Sequence, residues 1–192
     1  MQGIDLRLLV EKELKGISLF GLEHVERVAV FSTKLVNALP ENEKNIDLEV
    51  LEAALLLHDI GVPFWLAYKQ DHLGFSIAKA KTFLEKVDFP LAKRDAVLHC
   101  IQEHHWRGKP ATIEAKLLHD SNLLDNIGAM GVLKDSIKCY LNGLNAFQSV
   151  NYFSVKANYL DGAFSLGQAR QLALEGIAFY KTFSQSLEKS FK

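Results

Sequence analysis

An imidazole and a carboxylate close the apolar run Leu55-Leu56-Leu57-His58-Asp59-Ile60-Gly61. At the end of a buried helix both need a partner, because burying an unpaired polar group costs roughly 1–3 kcal/mol in proteins. A divalent cation can serve, since neutral imidazole and carboxylate are ligands for Mn, Fe, Co, Ni or Zn; a local hydrogen bond between the two can serve as well. His24 stands near the start of an amphipathic segment with Arg27 at i+3 on nearly the same face. A cation beside a metal ligand weakens metal affinity but suits a phosphate gripped by both; the other reading of this pair is a surface or cap. His72 follows a loop in Asp71-His72-Leu73-Gly74, and His104 ends the segment His99-Cys100-Ile101-Gln102-Glu103-His104-His105-Trp106 as His58 ends its own. His99 and His104 are about 140° apart on a helix and share no face, so His99 is expected to pair with Asp95 at i−4. His105 falls between solvent and the rim of a site.

Helical periodicity runs through nearly the whole chain and no convincing period-two alternation occurs. The pattern predicts helices over Leu6–Leu14, Leu22–Leu39 (stopped by Pro40) and from an Asp47 N-cap to Leu57, with a break at Gly61 and Pro63. Asp71 is expected to cap a helix reaching Val87, Pro90 to open one reaching His104, and Thr112 to begin one reaching Ile127. Residues 132–164 read as helical with breaks at Gly143 and Gly162. Ser165 and Gln168 have capping-box spacing before a final helix. The expected fold is all-α: a single-domain bundle of seven to nine helices spanning residues 1–192, with the core motifs over about 20–130 and the C-terminal helices, about 132–191, packed on it.

Composition narrows the classes. Apolar residues make up 48% and charged residues 23% of the 192-residue chain, as in ordinary globular proteins rather than disordered ones. With 22 Lys and Arg against 23 Asp and Glu, the net charge of −1 argues against nucleic-acid or anionic-membrane binding through bulk charge. The two cysteines, Cys100 and Cys139, lie in apolar helical patterns and read as buried free thiols. No run approaches the ~18 uninterrupted apolar residues of a membrane span, and the first residues lack a signal pattern. A cytoplasmic protein is expected.

The ordered elements are His24 with Arg27 and Val28, Ala53–Gly61 carrying His58-Asp59, His72, Ile101-Gln102-Glu103-His104, and Thr112–Lys116 leading to Asp120-Ser121-Asn122-Leu123-Leu124-Asp125. In this order the chain resembles the HD-domain superfamily of metal-dependent phosphohydrolases, and the last helix resembles that of its small stand-alone bacterial members. The resemblance implies a helical bundle with a divalent metal (Mn, Fe, Ni, Co or Mg) held by His24, His58 and Asp59. A second ion would use His72 and His104, with Asp59 bridging, so one or two ions are implied per chain. It departs from the family at the last ligand, usually the second Asp of Asp-Ala-Asp, where this chain has Asn122. The register favours Asn122 facing the metal; charge chemistry favours Asp120, which falls on an apolar stripe and needs a partner in either case.

The implied activity is hydrolysis of a nucleotide or other small phosphate ester by metal-activated water. Asp59, Arg27 and His105 are the candidate catalytic residues, Arg27 being the phosphate clamp and Lys116 a poorer one. The alternatives are a non-catalytic HD-like ligand-binding domain and a di-iron HD-fold oxygenase, which iron content and oxygen consumption would distinguish.

Overall fold

Glycine 61 owes its place to crowding, since a Cβ there would lie 2.4 Å from the carbonyl oxygen of His72 and 2.6 Å from the Ser76 nitrogen. Without a side chain at that point, the helix beginning at His72 can press against the end of the helix that carries His58 and Asp59. The Gly61 N–H donates to Ser76 Oγ at 2.9 Å and fixes the approach. The computed structural model in which this is seen describes residues 5–191.

Ten α-helical segments occur among the described residues: α1 (Leu6–Glu13), α2 (Leu22–Ala38), α3 (Leu48–Leu57), α4 (Val62–Tyr68), α5 (His72–Lys86), α6 (Leu91–Glu103), α7 (Ile113–Asp125), α8 (Gly128–Leu141), α9 (Ala146–Tyr159) and α10 (Gly167–Lys189). Two short 3₁₀ turns, Glu41–Glu43 and Leu160–Gly162, complete the order, and no strand occurs among these residues. Taken together, α3 and α4 form one apolar stretch, Leu48–Tyr68, which by length and hydropathy resembles a membrane span. A turn breaks it at residues 58–61, and 56% of its apolar 18-residue window is buried inside the protein. Counted once, it brings the helices to nine, and the fold is all-α as the periodicity predicts.

Asp47 caps α3 by accepting from the Val50 N–H, and Thr112 caps α7 by accepting from that of Ala115. α4 was not expected, because Gly61 and Pro63 read as a break; Pro63 instead sits in the first turn of a new helix, where its missing N–H costs nothing. The expected cap on α10 is also corrected. Ser165 caps nothing, and the capping box belongs to Asn145 and Gln148 at the start of α9. The N–H groups of Ser165 and Leu166 donate to Asp120 instead, at 3.0 and 2.7 Å.

α7 is the hub. Ala115 and every residue from Leu117 to Asp125 are buried, so the helix is enclosed on all sides. Its C-terminal Asp125 meets His24 and Arg27 in the first turns of α2, so the two helices run antiparallel. The ends of α3 and α6, the starts of α2 and α5, and the last turns of α7 thereby converge on one region.

Candidate metal centre

The side chains at this convergence are His24, His58, Asp59, His72 and His104, grouped around the Asp59 carboxylate. Its Oδ2 lies 3.2 Å from His24 Nε2 and 3.8 Å from His58 Nε2. Its Oδ1 lies 3.1 Å from His72 Nε2 and 3.3 Å from His104 Nε2. Two donor groups result, His24–His58–Asp59 and Asp59–His72–His104, each compact enough to hold a metal ion. Adjacent ligands about 3 Å apart are those expected around a cation with bonds of about 2.1 Å at right angles.

Local structure aims the rings. His58 and His104 are both C-caps, and each turns Nδ1 back to the carbonyl three residues earlier, Leu55 at 2.8 Å and Ile101 at 2.6 Å. This satisfies a carbonyl that the helix end leaves open and makes Nδ1 the protonated nitrogen, so Nε2 faces Asp59 with a lone pair. His24 does the same by donating from Nδ1 to Asp125 Oδ2 at 2.6 Å. Fixing the tautomer through the second nitrogen is how proteins prepare a metal-ligating imidazole.

A cation fits these donors. With both Nδ1 atoms protonated, the Nε2 atoms of His24 and His58 present lone pairs to each other across 3.2 Å, a repulsive contact that a positive charge relieves. Asp59 Oδ1 is buried and has no hydrogen-bond partner. Burial, with the neighbouring imidazoles His24 and His104, pushes the His58 pKa down to about 3 and keeps the ring neutral. Burial alone would raise the Asp59 carboxyl; charge on His58 and N–H donation from His104, His24 and His72 would hold it well below the usual carboxylate range, and with the rings neutral and protonated at Nδ1 a cation is needed in place of those donors.

Other residues singled out in the sequence take different places. Arg27 does not line the cavity above Asp59; its guanidinium grips Asp125, with Nε on Oδ1 at 2.6 Å and Nη2 on Oδ2 at 3.1 Å. Lys116 does not line it either. His105 lines the cavity at its exposed rim. Asn122 also lines it, but its amide is engaged: Nδ2 donates to the His104 carbonyl at 3.0 Å and Oδ1 accepts from Asn126 at 2.8 Å. It therefore braces the end of α6. Asp120 is fully buried and turned away, accepting from Ser165, Leu166 and His119. His99 accepts from the Ala111 N–H at 3.3 Å rather than pairing with Asp95. Asp120→Asn should accordingly leave metal content unchanged while lowering unfolding free energy by about 1–3 kcal/mol, the cost of weakening a buried acceptor. Elemental analysis and denaturant melts check this, and loss of metal would return Asp120 to the ligand set.

Sequence reasoning missed the cavity wall. The cavity, of about 340 Å³, is walled by Lys134, Lys138 and Lys156, with Lys69 at the end of α4, and by the aromatic rings of Phe20, Trp65, Trp106 and Tyr152. Lys134 binds Asp125 Oδ2 at 2.9 Å. Lys156 binds Asp135 Oδ2 at 2.5 Å and the Asn126 carbonyl at 2.8 Å, while Tyr152 and Tyr180 donate to the same Asp135.

Comparison with known proteins agrees with this geometry. The family model described as HD domain matches residues 21–127, from the start of α2 to just past α7. The uncharacterised protein YpgQ of Bacillus subtilis is 29% identical over 178 residues, covering 86% of this chain and 82% of its own. Its crystal structure in complex with ADP aligns with a TM-score of 0.66 at 24% identity, over 96% of this chain and 92% of that one. A predicted HD-superfamily hydrolase from an uncultured Thermotogales bacterium aligns with a TM-score of 0.62 at 21% identity, over 97% and 91%. An HD-superfamily hydrolase from Bacillus thuringiensis gives 0.65 at 21% identity, over 97% and 94%. At these identities the structural likeness concerns the fold.

Proposed function

The chain belongs to the HD-domain family, and from that premise we propose that it is a metal-dependent phosphohydrolase acting on a nucleotide or a similar small phosphate ester. One observation carries the reading: a single carboxylate, Asp59, is shared by two imidazole pairs at a cavity whose wall holds four lysines, Lys69, Lys134, Lys138 and Lys156. His24, His58 and Asp59 would hold one divalent cation, and Asp59, His72 and His104 a second. When bound, such ions supply Lewis-acid charge to a phosphoryl oxygen and make a water acidic enough to ionise near neutral pH. The chain's own part is to fix the donor tautomers through Leu55, Ile101 and Asp125 and to offset phosphate charge with Lys134, Lys138 and Lys156. His105, at the rim, is a neutral imidazole near pH 7, because burial and then the neighbouring His104 push its pKa down to about 4, so it would accept a proton from water rather than give one to a leaving group. A nucleotide is favoured by the aromatic rings of the wall and by the ADP held in the YpgQ structure.

The test is phosphate release from a panel of nucleotides, sugar phosphates and an aryl phosphate by the Mn²⁺-loaded protein. Turnover that chelator abolishes and added Mn²⁺ restores is expected. A fully metal-loaded protein inert toward the whole panel would overturn the reading. Metal stoichiometry supplies a second check. Changing His72 or His104 to Ala should lower the saturated ratio from two ions to one and spare the first, whereas a wild-type ratio that stays at one would reassign both histidines to substrate contact.

A further inference from the structure

Lys134 and Lys138 lie one turn apart on α8 and so share a face; Lys156 joins them from α9, and all three line the cavity. Two of the three charges are balanced, Lys134 by Asp125 and Lys156 by Asp135. Lys138 has no carboxylate partner among the described residues. Its Nζ instead lies 5.5 Å from the ring centroid of Phe20, and Lys134 Nζ lies 5.8 Å from the same centroid, so two ammonium groups flank one ring. Burial is the main cause that lowers the basicity of Lys134 and Lys156, and the like charge of Lys138 adds to it at both. The cavity thus contains a half-buried cation with other lysines around it, and the carboxylates that line the cavity, Asp59, Asp71 and Asp135, form no ion pair with it, so its charge is locally unbalanced. Cations bound at Asp59 would increase that imbalance.

We propose that Lys138 takes a phosphate oxygen of the substrate, the role that the sequence assigned to Arg27. The proposal rests on the phosphohydrolase reading and adds to it the residue that selects a phosphorylated ligand. Arg27 cannot fill the role where it stands, since its Nε and Nη2 are on Asp125 and it lies outside the cavity. Lys138 is the cavity-lining lysine of α8 and α9 whose hydrogen bonds are still to be made. A multiply charged phosphate satisfies it where a neutral nucleoside does not, because a charged acceptor strengthens the bond to an ammonium. The contact lies in a helix beyond residue 127, outside the part of the chain that the family model matches.

Calorimetric titration of the Mn²⁺-loaded protein with ADP tests this, with Lys138→Met, Lys138→Arg and, as a control on the exposed side of α5, Lys81→Met. Lys138→Met should bind ADP more than tenfold more weakly than wild type, over 1.4 kcal/mol, with unchanged metal content and melting temperature. Lys138→Arg should recover most of the affinity, and Lys81→Met should match wild type. Adenosine binding, if measurable, should be the same in all four proteins. If Lys138→Met binds ADP within twofold of wild type, the assignment of Lys138 fails while the phosphohydrolase reading stands. Loss of metal from Lys138→Met would place the residue in the metal centre and overturn the assignment too. If wild type binds neither ADP nor inorganic phosphate, the phosphohydrolase reading fails and takes this proposal with it.

Discussion

Asp59→Ala is expected to leave the purified protein without stoichiometric metal and without phosphate-releasing activity. The carboxylate is the one group common to both donor clusters, with Oδ2 toward His24 and His58 and Oδ1 toward His72 and His104. Removing it takes away the only anionic ligand and leaves four imidazoles with no carboxylate to balance a bound cation. A second reading separates loss of metal from loss of fold. A ligand at a hundred times its dissociation constant stabilises the native state by about 2.7 kcal/mol, and in a chain of this size each kcal/mol moves the melting temperature by roughly 2–4 °C. Saturating Mn²⁺ should therefore raise the wild-type melting temperature by roughly 5–10 °C and leave that of Asp59→Ala unmoved, while the helical spectra of the two proteins coincide. A variant that keeps its metal would put the metal site elsewhere.

The five side chains of that centre were legible because of where they fall along the chain. His58 and His104 each end an apolar helical run, His24 and His72 each begin a helix, and neutral imidazoles beside a carboxylate suggest a cation before any coordinates exist. The lysines were not legible in the same way. A lysine in an amphipathic helix such as α8 reads as solvated, and the partners that bury Lys134 and Lys156 come from α7 and α8 through tertiary packing. Asp120 shows the same limit. Ser165 and Gln168 have the spacing of a cap, yet the open N–H groups of Ser165 and Leu166 find a carboxylate 45 and 46 residues earlier, and no local pattern records that choice. Asp125 did carry a signal that went unused. It is the last residue of α7, where the negative end of the helix dipole disfavours a carboxylate, so it needs cationic partners from elsewhere. They are Arg27, 98 positions away, and Lys134, nine away.

That placement makes Asp125→Ala the variant with the largest expected effect on folding. Its carboxylate accepts from Arg27, Lys134 and His24 at once, and removing one partner of a buried charge network costs about 3–5 kcal/mol because the remaining charges are left uncompensated. The two cations do not contribute equally. The Arg27 side chain is 29% exposed and can turn toward solvent, whereas that of Lys134 is 1% exposed and cannot. Burial, with the like charge of Lys138, already pushes the Lys134 pKa down to about 8, so without Asp125 the amine sheds its proton, which limits the loss. Asp125→Ala should thus lower the melting temperature by roughly 6–20 °C, and adding Lys134→Met should recover more than half of that by removing the orphaned amine, a buried polar group left without its acceptor. Metal binding supplies the independent reading: in the double variant His24 has neither Asp125 nor the Lys134 amine, 3.1 Å from its Nδ1, to accept the Nδ1 proton, and loss of such partners weakens metal affinity about 10–100-fold. The double variant restores stability but not that affinity, because Lys134→Met gives His24 no new acceptor. A single variant that melts within 2 °C of wild type, or a double variant that regains full metal affinity, would show that Asp125 neither holds α7 to α2 nor orients His24.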